Sequence, residues 1–191
     1  NFHKANLEEL RSIDATRQLA AIQRLGNTQV IKLRSDIVRQ LMVLLAKKNA
    51  EHCPEIVETL RSWTVPEDGS GELVKQLSKT CIVEGVKIPE SYLQFLVEQN
   101  TEGISDILIY AWSDDVVIHE KLLLLAGARA ELALVDVLDQ LDHYQLESAA
   151  NVLEKLGTKQ SLPALTTAYQ KSEGELQKTI KAAMDAIESR E

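Results

Sequence analysis

The stretch AANVLEKLGTKQSLPALTTAYQ, residues 149–170, carries the pattern that decides the fold. The apolar residues in its first half recur at the three- and four-residue intervals of one α-helix face, at Ala149, Val152, Leu153 and Leu156. Gly157 stands where a helix commonly ends in the left-handed conformation. Ser161 is predicted to N-cap a second helix that tolerates Pro163 in its first turn. The stretch therefore predicts two helices joined by a short turn.

The same helical interval extends over nearly the whole chain. Ser172 and Glu175 have the S-x-x-E spacing of a capping box, which predicts a third helix immediately downstream. No segment shows the sustained apolar and polar alternation of a strand, and the 8 Gly and 4 Pro leave few chain breaks. The predicted fold class is all-α, with about eleven helices placed by caps and breakers. The predicted helices are 14–25, 35–48, 54–63, 71–83, 89–99, 103–112, 114–126, 130–142, 145–156, 162–171 and 173–189.

Two further segments overlay parts of this stretch without gaps. Residues 127–140, GARAELALVDVLDQ, align with residues 157–170. Residues 19–29, LAAIQRLGNTQ, align with residues 150–160, so that Gly26 falls on Gly157. Coincident glycine and turn positions indicate an internal repeat of helix pairs, and such repeats stack because each buries the apolar face that its neighbour cannot cover alone.

The pattern A-x-x-L-x-x-L-G, followed by a short polar turn and x-L-P-A-L, resembles the short bacterial HEAT-like repeats. The resemblance is good over residues 113–191, fair over 14–62 and poor in between. It implies a right-handed superhelical stack, or solenoid, of antiparallel helical hairpins. We expect a single domain over residues 1–191, with an irregular loop near 65–71 as the candidate for a mobile segment or a break. Because the chain begins at Asn1 without Met, we also expect it to be a piece of a longer protein.

Charge and hydropathy limit the classes of partner. The 21 Lys and Arg against 29 Asp and Glu give a net charge of −8, and without a basic run nucleic acid is not expected as a partner. No apolar stretch reaches the roughly 18–20 residues of a membrane span, so this segment is not expected to insert into a membrane. The expected partner is a protein or peptide. These features leave the compartment undetermined, with a cytoplasmic location slightly favoured.

No local motif supports catalysis or a bound cofactor. The HE pair at His119 lacks the second histidine of a zinc-protease helix, because Leu123 occupies that position, and His119 is therefore expected on a helix surface. His52, Cys53 and Cys81 are too few ligands for a recognisable metal site, so the cysteines are interpreted as free, half-buried thiols. Nucleotide-binding glycine loops and nucleophile motifs are not found in the sequence. We therefore expect no enzyme, no metal and no other cofactor.

The predicted function is that of a protein-interaction or scaffold module that presents a concave helical surface to a protein or peptide partner. The resemblance implies that the concave row includes the helices at 14–25, 145–156 and 173–189. The exposed polar residues implied to face the partner are Arg17, Arg24, Asn151, Glu154 and Lys155. Aromatic residues at helical spacing are usually core, and the alternative is that Trp63 and Trp112 line a groove as anchors for the partner.

Two other functions stay open. Some HEAT-like repeat proteins are lyases or chaperones that attach or remove a tetrapyrrole, which implies an accessory or enzymatic role on such a prosthetic group. That role requires a pocket lined by polar and acidic groups. The other alternative is a structural spacer in a larger surface or membrane-anchored protein. A spacer is expected to have no concave face richer in aromatic residues or in charge of one sign than its convex face.

Overall fold

The computed structural model describes residues 2–47 and 50–190. Within these ranges the secondary structure consists of twelve α-helices and three 3₁₀ turns, with no strand, which confirms the all-α class. The helices are α1 (Phe2–Leu10), α2 (Ala15–Gly26), α3 (Arg34–Leu45), α4 (Cys53–Trp63), α5 (Ser70–Glu84), α6 (Glu90–Glu98), α7 (Ser105–Asp114), α8 (Val116–Ala126), α9 (Ala128–Val137), α10 (His143–Leu156), α11 (Leu162–Lys171) and α12 (Gly174–Ser189).

All eleven predicted helices are present, and α1 is an additional one. The side chains that α1 buries include His3 and Asn6 beside Leu7 and Leu10, so its buried face lacks the apolar periodicity that would have predicted it. The predicted end of the second helix at residue 48 lies outside the described residues. Of the N-terminal caps, Asp14 accepts hydrogen bonds from the first turn of α2, as its sequence position indicates.

The chain divides into two compact units, Asn1–Glu102 and Gly103–Glu191. In the first unit α1 packs on α2, α3 on α4 and α5 on α6, while α4 also contacts both α2 and α6. In the second unit α7 packs on α8 and α11 on α12, α9 contacts α10, and α10 also contacts both α8 and α12. Each unit is therefore a series of three helix pairs. We call α2, α4 and α6 the second-helix row of the first unit, and α8, α10 and α12 that of the second.

The division follows Glu102 and does not fall in the predicted loop at 65–71. Pro66–Asp68 forms a 3₁₀ turn whose Asp68 carboxylate makes an ion pair with Arg34 at 2.5 Å. The same carboxylate accepts a hydrogen bond from the backbone N–H of Val65 at 2.9 Å. The ion pair therefore links this segment to the start of α3, within the first unit.

A buried carboxylate holds the turn between α10 and α11. Glu131 Oε1 on α9 accepts hydrogen bonds from the Thr158 N–H at 2.6 Å, the Thr158 hydroxyl at 2.9 Å and the Ser161 hydroxyl at 2.6 Å. The Ser161 hydroxyl therefore donates to Glu131 on α9 and makes no capping hydrogen bond to α11. The prediction that its side chain caps α11 is wrong for this reason. Burial by itself would raise the pKa of Glu131, but the hydrogen bonds from Ser161 and Thr158, with the nearby charge of Arg190, hold that pKa below its ordinary value.

The capping box predicted at Ser172 and Glu175 is also wrong. Glu173 is the N-cap of α12 and makes no side-chain capping bond. The hydroxyl of Ser172 instead donates to the carbonyl of Ala168 in the last turn of α11, at 2.8 Å. A hydroxyl in this position can serve either helix, and here it satisfies the end of the preceding one.

Gly157 is needed because of close packing and not because of a left-handed backbone. Its φ of −64° and ψ of 149° are extended, so the predicted left-handed conformation is wrong. A Cβ at this position would lie 2.5 Å from the Leu153 carbonyl oxygen and 2.8 Å from Ile187 Cδ1 on α12. Its repeat equivalent, Gly26, likewise lies against the next helix of its row, where a Cβ would lie 3.2 Å from Thr59 Oγ1. Both glycines therefore allow neighbouring second helices to approach each other.

We expect Gly157→Ala to lower the free energy of unfolding by about 1–3 kcal/mol, because the added methyl group meets a backbone oxygen that cannot rotate away. Chemical unfolding followed by circular dichroism at 222 nm measures this loss. Gly26→Ala is the matched control, since its neighbour is the end of a side chain, and we expect a change below about 1 kcal/mol. Equal losses in the two variants would contradict the packing explanation.

Candidate functional site

The predicted surface residues of the first unit lie on α2, and one of them already has partners within the chain. Arg17 is exposed near the start of the helix. The Arg24 Nε donates to Asn6 Oδ1 at 2.8 Å, and its guanidinium makes an ion pair with Glu9. Both partners belong to α1, so Arg24 joins the two helices of the first pair. Its side chain stays 41% exposed, which leaves part of the guanidinium accessible.

The uncovered face of α4 and α6 in the first unit carries mainly negative charge. Glu55 and Glu58 are exposed on α4, and Glu98 is exposed on α6. Arg61 bridges the two helices, with Nη2 2.6 Å from Glu98 Oε1 and Nη1 2.7 Å from Glu58 Oε2. One half-buried arginine thus ties adjacent helices of the row together, and the sequence pattern did not single it out.

The predicted surface residues of the second unit lie on α10, where His143 and Tyr144 at the start of the helix are also exposed. Asn151 and Glu154 are half-buried there and Lys155 is exposed. The Lys155 Nζ lies 3.5 Å from Glu120 Oε1 on α8, so this lysine reaches the neighbouring helix of the row. The structure therefore brings Asn151, Glu154 and Lys155 together in the second unit, while Arg17 and Arg24 belong to the first.

Trp63 and Trp112 are core residues in this structure, with 1% and 0% of their surface exposed. The Trp63 Nε1 donates to the Leu25 carbonyl oxygen at 2.9 Å, and the ring edge meets His3 with a centroid distance of 5.6 Å. The Trp112 Nε1 donates to Ser148 Oγ at 3.2 Å. Neither ring reaches the surface, so in this conformation neither is an anchor for a partner. Of the two interpretations of the aromatic residues, the core interpretation is the one that the geometry supports.

The sequence pattern did not indicate that α8 carries an exposed apolar stripe. Val117, Ile118 and Leu125 lie on one side of this helix and are 80%, 57% and 71% exposed, around the exposed Lys121. The opposite side buries His119, Leu122, Leu123 and Ala126. The sequence VVIHEKLLLLA is apolar on almost every side, which is itself a signal, because a helix of this kind normally has a partner on all faces.

His119 is buried in α8, so its predicted place on the helix surface is wrong. The apolar residues on the same side of the helix carry it into the core. Cys53 and Cys81 are free and half-buried, as predicted, and burial raises the pKa of both thiols. In the part of the chain that the structure describes, no three His, Cys, Asp or Glu side chains are grouped as ligands for a metal ion.

A groove lies within the second unit between the α9–α10 pair and the α11–α12 pair, and we call it the α9–α12 groove. The volume of this open groove is about 810 Å³. Its floor is formed by the buried side chains of Leu138, Leu146 and Leu176. Its rim carries exposed charged groups, among them Asp139 and Glu173. This volume is within the range of about 300–1,000 Å³ that is usual for ligand pockets.

Comparison with known proteins found no family model, no curated protein and no solved structure that matches this chain. None of the helices within residues 2–47 and 50–190 has both the length and the apolar composition needed to cross a membrane.

Proposed function

We propose that this protein is a HEAT-like interaction module that binds a protein or peptide partner on the exposed faces of its second-helix rows, without catalysis. The arrangement of each unit supports this proposal, because successive second helices contact one another and carry exposed side chains such as Glu58 on α4 and Lys155 on α10. In an α-solenoid, such a row is the surface that receives the partner, and its rigidity limits the entropy lost on binding.

The exposed apolar stripe on α8 is the observation that carries the proposal. Val117, Ile118 and Leu125 expose most of their side-chain surface on one helix face. Single exposed apolar residues are ordinary on soluble proteins, whereas several grouped on one helix side, here around Lys121, form the kind of apolar patch that commonly marks a binding surface. The neighbouring α10 adds Asn151, Glu154 and Lys155, whose polar groups would form the rim of the contact.

A random peptide library displayed on phage, selected on the folded protein, tests this proposal. We expect selected peptides to bind the wild type with micromolar affinity and to lose about tenfold or more on the Val117→Glu, Leu125→Glu double variant, because a charge in an apolar contact must be desolvated. Fluorescence anisotropy of the labelled peptides measures the dissociation constants.

The matched control is the Val83→Glu, Leu132→Glu double variant. These residues are 87% and 54% exposed, and they lie on α5 and α9, outside the second-helix rows. It introduces the same two charges, so a loss caused only by added negative charge would occur in both variants. If no peptide is enriched, or if both double variants bind as the wild type does, the second-helix rows are not the binding surface.

A further inference from the structure

We propose that the α9–α12 groove is a second docking site, which binds a short amphipathic segment of a protein partner with a Lys or Arg beside its apolar side chains. This inference rests on the proposed role as an interaction module, but it concerns a different surface from the α8 stripe. The partner's apolar side chains lie on the floor of the groove, and its cationic group pairs with Asp139 and Glu173 on the rim.

The floor of the groove favours apolar side chains. Leu138 follows α9, Leu146 lies on α10 and Leu176 on α12, and all three buried side chains line the groove. Ala168 on α11 also lines it, and its short side chain leaves space. Covering such a floor removes apolar surface from water, which contributes roughly 25 cal/mol per Å². A polar side chain in the same place would gain less binding free energy, because it buries less apolar surface.

The rim of the groove favours a cation. Asp139 and Glu173 are exposed, and no salt bridge joins either of them to a basic residue of the described chain. The third carboxylate, Asp142, already accepts the Gln145 N–H at 2.9 Å as the N-cap of α10. Lys171 is the lysine among the lining residues, so the rim keeps a net negative charge.

The same charges disfavour a tetrapyrrole in this groove. The pocket does have the acidic lining that such a role was expected to need. However, haem and bilins carry propionate groups, and these would add negative charge to a rim whose net charge is already negative, so the charges would repel. A peptide with Lys or Arg at its edge is complementary to the rim and also fills the apolar floor.

The probe for this inference is a fluorescein-labelled helical peptide made only of Leu and Lys, with the two residue types on opposite faces. Two comparison peptides separate the contributions: one replaces every Lys with Glu, and the other replaces every Leu with Ser. We expect the Leu-Lys peptide to bind about tenfold or more tightly than either comparison peptide, because only it matches both floor and rim. Anisotropy titrations at physiological salt measure the three affinities.

Two variants locate the binding. Thr167→Trp fills the groove from an exposed position on α11, and we expect it to weaken the Leu-Lys peptide by about tenfold or more. The Asp139→Asn, Glu173→Gln double variant keeps the shape of the groove and removes its two free charges, with an expected loss of about fivefold to tenfold. The control is Glu175→Gln, Asp185→Asn on α12, which makes the same change in net charge at exposed carboxylates that pair with Lys178 and Lys181.

The affinities of the variants distinguish the groove from the other surfaces. Losses in both groove variants but not in the control support the groove. If Thr167→Trp and the double variant bind the peptide as the wild type does, or if the control loses as much as they do, the groove assignment is overturned. If binding is lost only in the Val117→Glu, Leu125→Glu variant, the interaction module stands and the groove does not. Haem or biliverdin binding that Thr167→Trp abolishes would assign the groove to a tetrapyrrole instead.

Discussion

Replacing Trp63 with alanine is expected to lower the free energy of unfolding by about 3–5 kcal/mol, which is the usual cost of removing a fully buried tryptophan. The loss has three sources: the cavity left by the ring, the hydrogen bond to the Leu25 carbonyl oxygen and the edge contact with His3. Guanidinium unfolding followed by far-ultraviolet circular dichroism measures it.

Two further variants separate these contributions. Trp63→Phe keeps most of the ring volume but removes the indole N–H, so the Leu25 carbonyl oxygen keeps only backbone donors such as the Thr28 N–H at 3.2 Å, and we expect a loss of about 1–2 kcal/mol. Tyr144→Ala removes an aromatic side chain that is 75% exposed, and we expect a change within about 0.5 kcal/mol. If Trp63→Ala unfolds at the same denaturant concentration as the wild type, Trp63 is not part of a packed core.

Replacing Glu131 with alanine is expected to lower the free energy of unfolding by about 3 kcal/mol. The variant leaves the Thr158 N–H and the buried Ser161 hydroxyl without their acceptor. Glu131→Gln keeps an acceptor oxygen but removes the charge, so we expect it to lose about half as much. Glu147→Gln, on the exposed face of α10, is the control and should unfold as the wild type does.

The contribution of Glu131 is also expected to depend on pH. The pKa of Glu131 is held below its ordinary value in the folded protein, so the carboxylate stabilises the fold at any pH above the unfolded-state pKa of about 4.3. That stabilisation is lost as the pH falls below this value and through the folded-state pKa. The difference in stability between the wild type and Glu131→Gln should therefore be constant near pH 7 and shrink on acidification. A difference that grows on acidification would show that the carboxylate is not held in its charged form.

Much of the secondary structure could be predicted because it depends on local patterns. The apolar interval of residues 149–170 indicated α10 and α11, and Pro163 does lie in the first turn of α11. The repeat overlay of Gly26 on Gly157 was also informative, since both end a second helix where the next helix packs closely. The reason first assigned to Gly157 was wrong, because a sequence records that a small residue is present and not which neighbour requires it.

The candidate sites were less predictable because they depend on which faces remain uncovered. Charged residues such as Arg24 are read from the sequence as exposed and available, but its partners Asn6 and Glu9 come from α1, a helix that the sequence pattern did not reveal. Trp63 and Trp112 have the composition of interface anchors, yet each finds an acceptor for its indole N–H inside the fold. The α8 stripe was overlooked because apolar helix residues are normally buried.

The amino-acid sequence by itself determined that the chain folds into helices, and approximately where most of them begin and end, since helical periodicity and chain breaks act between residues that are close along the chain. Tertiary structure decided how the chain divides into two units, which tryptophans are buried, where Glu131 finds its three donors and which apolar side chains stay in contact with water. These features depend on packing between helices distant in sequence, and a side chain's hydrogen-bond partner or exposure is defined only once those helices are in place.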